Sequence, residues 1–194
     1  MNLKNLYLNR FENKYESRMK IWKILCQSFF QKFCSKDDII LDLGSGFGEF
    51  INNIICKEKY AVDINQNVKL YTDKDVNVIV ADATELKMIP NDFFDKIFMS
   101  NFLEHLSSKE DLLKVINEVY RILKKDGKVM ILSPNILYIK QHYWDFLDHI
   151  IPLTHNTISE LLLLFNFKIE ILYPKFLPYS TLSKMPKSSF FIKT

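Results

Sequence analysis

Three aspartates that close short apolar runs, Asp42, Asp63 and Asp82, carry the chemistry most readily read from this chain. A carboxylate offers two acceptor oxygens, which suits the paired hydroxyls of a ribose, and it also accepts from an exocyclic amine. Three of them around one crevice describe a nucleoside site. Taken singly, each can equally cap the turn or helix that follows, and for Asp82 alone that reading has as much force. Beside Asp42 stand Gly44, Gly46 and Gly48, three of the four glycines in the chain. Glycines so concentrated point to φ > 0 or to a ligand pressed against the main chain. Their spacing is G-x-G-x-G, not the G-x-G-x-x-G of dinucleotide sites, and an acid two residues before the first glycine would repel a pyrophosphate. A positively charged nucleoside is preferred.

Proton transfer to or from an oxygen or nitrogen needs a positioned base, and the candidates are His105 and the pair Asp148 and His149. His105 reads equally as a residue packed into a helix-starting turn, and Asp148 with His149 equally as a surface pair. Trp144 and Asp145 are candidates to contact a sugar or ring. His142, His149 and His155 lie seven and six residues apart with no thiolate nearby, so no ligand spacing is recognised and no metal is expected.

The elements that must position these residues follow from apolar periodicity. Ile39 to Leu43 reads as a buried strand, the glycines as a tight turn, and Phe47 to about Lys57 as a helix. Strands are expected at 60–62, ending at Asp63, at 76–80, ending at Ala81 and Asp82, at 96–100 and at 128–132, with a helix around 67–71. Ser107 or Ser108 caps a helix running to Leu123, stopped by Lys124, Lys125, Asp126 and Gly127. Apolar residues at three- and four-residue spacing from Tyr15 to Phe33 mark an amphipathic helix that covers one side of the sheet; its N-terminal end, with Tyr7, Arg10 and Phe11, is alternatively a lid over the ligand. Thr154 caps a last helix through Phe165, and a sixth strand is expected at 167–173, followed by an irregular tail. Strands alternating with helices imply an α/β fold: a Rossmann-like, doubly wound, mostly parallel sheet with helices on both faces.

Composition bounds the remainder. The 194 residues, 48% hydrophobic and 25% charged, fit one domain with a full core, and a net charge of +3 gives no reason to expect nucleic acid. Within it, 1–36 is read as a covering helical segment, 37–135 as the cofactor-binding core, and 136–194 as a substrate-side insertion with the last helix, strand and tail. Cys26, Cys34 and Cys56 form no paired framework and read as reduced thiols. With no apolar run long enough to span a bilayer and no signal-peptide core, a cytoplasmic protein without a transmembrane segment is expected; oligomeric state is left open.

S-adenosylmethionine answers the chemistry of the aspartates: it bears a sulfonium, an ammonium, a ribose diol and an adenine amine, and no phosphate. The segments LDLGSGFGEF, YAVDIN, ADATEL, FDKIFMSNFLEHL and GKVMILSPN resemble the successive motifs of class I S-adenosylmethionine-dependent methyltransferases, in the small-molecule branch related to the ubiquinone-biosynthesis type. A looser likeness, through YWDFLDH and FLPYS, reaches methyltransferases of bacterial cell-surface glycan gene clusters. The resemblance implies that Asp42, Gly44, Ser45, Gly46, Phe47 and Gly48 pass close to the methionine end of the cofactor. It further implies that Asp63 and Ile64 hold the ribose, that Asp82 and Ala83 meet the adenine, and that Asn101 and Phe102 line the methyl-donor site. The expected product is S-adenosylhomocysteine, and the expected partner a small-molecule or glycan acceptor. The family closes its sheet with an antiparallel strand; here that strand is short or absent, 190–193 being the candidate. This departure leaves open a second reading, a cofactor-binding but inactive module that works through a partner, which the basic tail residues Lys175, Lys184, Lys187 and Lys193 would suit. A nicotinamide dehydrogenase is argued against by the glycine spacing.

Overall fold

Five apolar runs assemble into one parallel sheet in the computed structural model, which describes residues 15–176. They are β1 (Ile39–Leu43), β2 (Glu58–Asp63), β3 (Val76–Val80), β4 (Phe94–Ser100) and β5 (Leu123–Leu132), in the spatial order β3-β2-β1-β4-β5. The chain winds outward from β1 on one side and resumes at β4 on the other. The carboxyl ends of β1 and β4 therefore flank the crevice where strand order reverses, the place where such sheets take ligands.

Alternation along the strands divides the core into two layers. Ile40, Ala61 and Phe98 face α1 (Tyr15–Ser28), which buries Ile21, Trp22, Leu25 and Cys26 against them. Leu41, Leu43, Ile97 and Met99 face the opposite layer. After the short α2 (Val68–Tyr71), that layer is supplied by α3 (Lys109–Ile122), whose Leu112, Val115, Ile116, Val119 and Ile122 are buried. Helix α3 begins where the Ser108 hydroxyl accepts from the Asp111 N–H at 3.1 Å, with Glu110 and Asp111 in the first turn and Arg121 in the last, the charge order its dipole favours. The segment beyond β5 holds α4 (Ile136–Ile139), a 3₁₀ stretch (Lys140–Asp145) and α5 (His155–Leu164), the last capped by Thr154.

Four elements differ from the sequence expectation, each for a local reason. Helix α1 stops at Ser28 and continues as a 3₁₀ turn, Phe30–Phe33. There Phe30 packs on Trp22, Phe50 and Phe98 and Phe29 on Tyr173 and Phe176, the two rings meeting edge to face at 5.3 Å. The helix expected at 47–57 is a series of turns and one 3₁₀ turn, Ile51–Asn53, because φ of +54° at Gly46 and +70° at Gly48 is incompatible with right-handed helix. The stop expected at 124–127 is a bulge within β5: between the pairs Phe94–Leu123 and Lys96–Lys128, four residues oppose the single Asp95. Asp126, at φ +66°, takes the left-handed position, and Gly127 is required by space, since a Cβ there would lie 2.8 Å from the Lys124 carbonyl oxygen. Finally, no strand follows Leu132 among the described residues. The stretch at 167–173 is held by side chains in place of a ladder, with Phe167 edge-on to Tyr120 at 5.6 Å and Tyr173 edge-on to Phe29 at 5.8 Å. The candidate closing strand at 190–193 and the lid residues Tyr7, Arg10 and Phe11 lie outside the described residues.

The three cysteines are free, and burial pushes the thiols of Cys34 and Cys56 up to about 12 and about 11, with Cys26 higher still. They are packing groups, not nucleophiles. No helix of the described residues is long and apolar enough to cross a membrane.

Candidate active site

The turn after β1 is fastened from below by β2. Gly44 N–H and Ser45 N–H both donate to the Val62 carbonyl, at 2.9 and 3.2 Å, and Gly46 N–H donates to Asp63 Oδ2 at 2.8 Å. These donors are spent inside the protein, so the turn presents no ring of N–H groups to a phosphate, consistent with the argument from glycine spacing. Gly44, Gly46 and Gly48 all have positive φ, at +74°, +54° and +70°. At Gly44 space is as decisive as conformation, because a Cβ would meet Phe102 at 2.6 Å. Phe102 follows Asn101, itself left-handed at φ +46°, a conformation asparagine tolerates better than most residues. The ends of β1 and β4 thus lock against each other.

Asp42, Asp63 and Asp82 line a single cavity of about 1090 Å³, at the large end of small-molecule sites. Thirteen further residues singled out from the sequence occupy the turn or the walls: Ser45, Phe47, Ile64, Ala83, Asn101, Phe102, His105, Asp148, His149, Gly44 and Gly46 line the cavity, Gly48 closes the turn behind them, and Lys175 stands at the rim over the Tyr138 ring. The aspartates do different work. Asp42 is 3% exposed, and burial raises its pKa well above the ordinary carboxylate range; Glu49 and Asp63 raise it further, while the Ile51 N–H opposes them. Asp63 accepts from Gly46 N–H on one oxygen and from Asn65 N–H on the other, so it organises the turn at the cavity wall. Asp82 Oδ1 accepts from both the N–H and the hydroxyl of Thr84, the capping role foreseen for it, at the cavity wall.

Sequence reading missed Glu49 and Arg18. Glu49 is 5% exposed, and Arg18 reaches it from α1 with Nε at 2.7 Å and Nη2 at 2.6 Å. This pair ties the covering helix to the glycine turn. An acid next to Gly48 was visible in the sequence; its cationic partner, thirty-one residues upstream, was not.

The other end of the cavity is built by the segment after β5. Glu104 lies in the 3₁₀ turn Leu103–His105, and its carbonyl accepts from Ile150 N–H at 2.8 Å and Ile151 N–H at 3.1 Å, which draws the inserted segment onto the end of β4. His105 Nδ1–H then donates to the Asp148 carbonyl at 2.8 Å, with the Asp148 carboxylate at 3.6 Å. His149 Nδ1–H donates to the Tyr143 carbonyl at 2.7 Å, and the two imidazoles meet at 5.0 Å. Tyr143 is fully buried and donates its hydroxyl to the Ile151 carbonyl. Trp144 and Asp145 are not in the cavity wall: Trp144 is 54% exposed, and Asp145 pairs with His142 at 2.9 Å. Glu104 is wholly buried, and burial pushes its pKa up to about 8, with Asp148 adding to the effect.

The fit to S-adenosylmethionine rests on three observations. The Ser45 hydroxyl is buried at the cavity wall with no hydrogen-bond partner, the glycine turn lies open for close approach, and the acids Asp42, Glu49 and Asp63 gather where a cation would sit. Residues 41–131 match the family described as methyltransferase domain. Residues 41–131, a little under half of the chain, are thus similar to a methyltransferase domain. A solved S-adenosylmethionine-dependent methyltransferase from Archaeoglobus fulgidus is similar, with 29% identity and a TM-score of 0.71 over 84% of this chain and 75% of that one. Two uncharacterised proteins of Methanocaldococcus jannaschii are also similar. One is 34% identical over 52% of this chain and 42% of its own length, the other 28% identical over 69% and 53%. The chain spans about half the length of these curated relatives. The matched stretch begins within β1 and includes the glycine turn between β1 and β2 described above.

Asp63 is both a turn anchor and a ribose candidate. Asp63→Ala is expected to weaken S-adenosylmethionine binding about 10- to 100-fold while the circular dichroism spectrum and cooperative melting persist, as for the loss of charge-assisted hydrogen bonds. Wild-type affinity in calorimetry would remove Asp63 from the site.

Proposed function

We propose that the protein transfers the methyl group of S-adenosylmethionine to an oxygen or nitrogen of a small molecule or glycan precursor, releasing S-adenosylhomocysteine. The observation that carries this reading is that one cavity joins two chemically distinct ends: acids and the glycine turn at one, His105, Asp148 and His149 at the other. The cofactor supplies a methyl carbon made electrophilic by a sulfonium. What the chain must add is alignment and the handling of a proton.

Alignment comes from the locked ends of β1 and β4, where Gly44, Asn101 and Phe102 shape the passage between the two ends. Proton handling falls to His105 and His149. The Asp148 carbonyl and Tyr143 carbonyl each engage an Nδ1–H and so leave Nε2 as the basic atom. Residues 1–36 serve as cover, 37–135 as the cofactor-binding core, and 136–194 as the acceptor-side segment. A cytoplasmic location is supported by three cysteines that are free thiols.

Calorimetry with S-adenosylmethionine, S-adenosylhomocysteine and NAD tests the cofactor. Binding of both adenosyl ligands and not of NAD supports the reading, and the reverse overturns it. Transfer of labelled methyl to hydroxylated and amine acceptors tests the reaction, and failure on all of them favours the inactive module.

A further inference from the structure

The acceptor end contains a donor set that the expected roles leave unexplained. Glu104 is 0% exposed, and neither carboxylate oxygen has a hydrogen-bond partner. The Ser133 hydroxyl, likewise buried, is near enough to act on the Glu104 carboxyl but not in good hydrogen-bond geometry with it. An unsatisfied carboxylate in the interior costs several kcal/mol unless something cationic faces it. The basic group that faces Glu104 among the described residues is imidazole: His105 Nε2 lies 3.9 Å from Oε1. One ligand atom each from Glu104, His105 and His149 falls within 4.8 Å of the other two.

We infer that Glu104, His105 and His149 bind a divalent transition-metal cation of the zinc type at the acceptor end of the cavity. Both imidazoles are prepared for it in the same manner. Each Nδ1–H is committed to a main-chain carbonyl, of Asp148 for one ring and Tyr143 for the other. Such outer partners fix the tautomer and orientation of metal-ligating histidines. A carboxylate oxygen and two imidazole nitrogens are the ligand set of open zinc sites, with protein ligands about 2.0–2.2 Å from the metal. Tetrahedral ligands at that distance stand roughly 3.4 Å apart, so closure from 3.9 Å between Glu104 and His105 is a matter of side-chain adjustment.

The inserted segment is held in place for this by main-chain bonds, Ile150 and Ile151 N–H to the Glu104 carbonyl, which bring His149 to His105 across forty-four residues. Spacing within the chain therefore hid the group: two ligands adjoin at the end of β4, and the third arrives from the insertion. Resting on the proposed methyl transfer, the site narrows the acceptor to one that offers a hydroxyl. With their Nε2 atoms on the cation the two imidazoles hold the metal in place of taking the proton themselves, and on a Lewis-acidic cation a hydroxyl releases its proton to solvent more readily. The resulting oxygen anion forms the bond to methyl as the carbon–sulfur bond breaks and its electron pair returns to a neutral thioether.

The test uses the tag-free full chain stripped with chelator. Titration with ZnCl₂ in calorimetry is expected to show one equivalent bound below about 1 μM, and CoCl₂ to give visible absorption of a low-coordinate site. Glu104→Gln and His149→Ala are each expected to weaken zinc at least 100-fold. Absence of stoichiometric zinc and of the cobalt spectrum in the wild-type chain would overturn the inference, as would binding unchanged in both variants. S-adenosylmethionine calorimetry on the metal-free chain is a separate readout. If it succeeds while zinc fails, the metal site alone falls; if it fails while zinc binds, the methyl-transfer reading falls.

Discussion

Gly44→Val is expected to abolish S-adenosylmethionine binding, by at least 1000-fold, in a chain that still folds. Two costs combine at this position. The backbone is at φ +74°, which costs a residue with a Cβ about 1–2 kcal/mol, and a β-branched residue more. The new Cβ would also lie 2.6 Å from Phe102 Cγ and Cδ2. Overpacking of this kind costs a further 1–3 kcal/mol or so, and its cheapest relief is for the Phe102 ring to swing into the cavity. Calorimetry reads affinity and thermal melting reads stability. Measurable wild-type affinity would show that the cofactor does not approach the turn, and the site would have to be sought elsewhere in the fold.

The second large effect is on turnover. His105→Ala is expected to lower kcat about 10²- to 10⁴-fold, the range typical for loss of a group that handles a reacting proton, with S-adenosylmethionine affinity unchanged within a few-fold. Asp148→Ala makes a sharp contrast. The contact that orients His105 is to the Asp148 main-chain carbonyl at 2.8 Å, whereas the carboxylate stands at 3.6 Å. The alanine variant keeps the carbonyl, so its kcat should fall by about 10-fold or less. Labelled-methyl turnover on a common acceptor gives both numbers. A His105→Ala enzyme with near-normal kcat would place the chemistry away from this end of the cavity.

The sequence was legible where one local force decides the outcome. The apolar runs within β1 to β5 announced themselves because strand positions packed against the helices cannot be polar, and the three aspartates at the ends of β1, β2 and β3 gather at one cavity because parallel strands end on the same side. Ser108 and Thr154 cap their helices as their types suggest. What failed to show was decided by contacts distant in sequence. The turns after Gly48 carry residues that would pass for helical, yet Asn52 spends its amide on Tyr71 and Asp73, pinning the loop to the end of α2. The stretch at 167–173 has strand-like residues, but Phe167 and Tyr173 are engaged by rings of α3 and of the α1 flank. Arg18 on Glu49 and His149 beside His105 are partnerships of the same kind, invisible until the chain is folded.

The attachment of the inserted segment has a consequence for divergence. Its grip on the end of β4 runs through the amides of Ile150 and Ile151 and the carbonyl of Glu104, atoms that every residue except proline possesses. Exposed side chains along 137–148, such as Leu137, Tyr138, Trp144 and Leu147, can therefore be exchanged without unseating the loop, provided the buried Tyr143 and its bond to the Ile151 carbonyl are kept. Grafting this stretch from one such protein to another is a practical route to moving acceptor preference while the cofactor half is left as it stands.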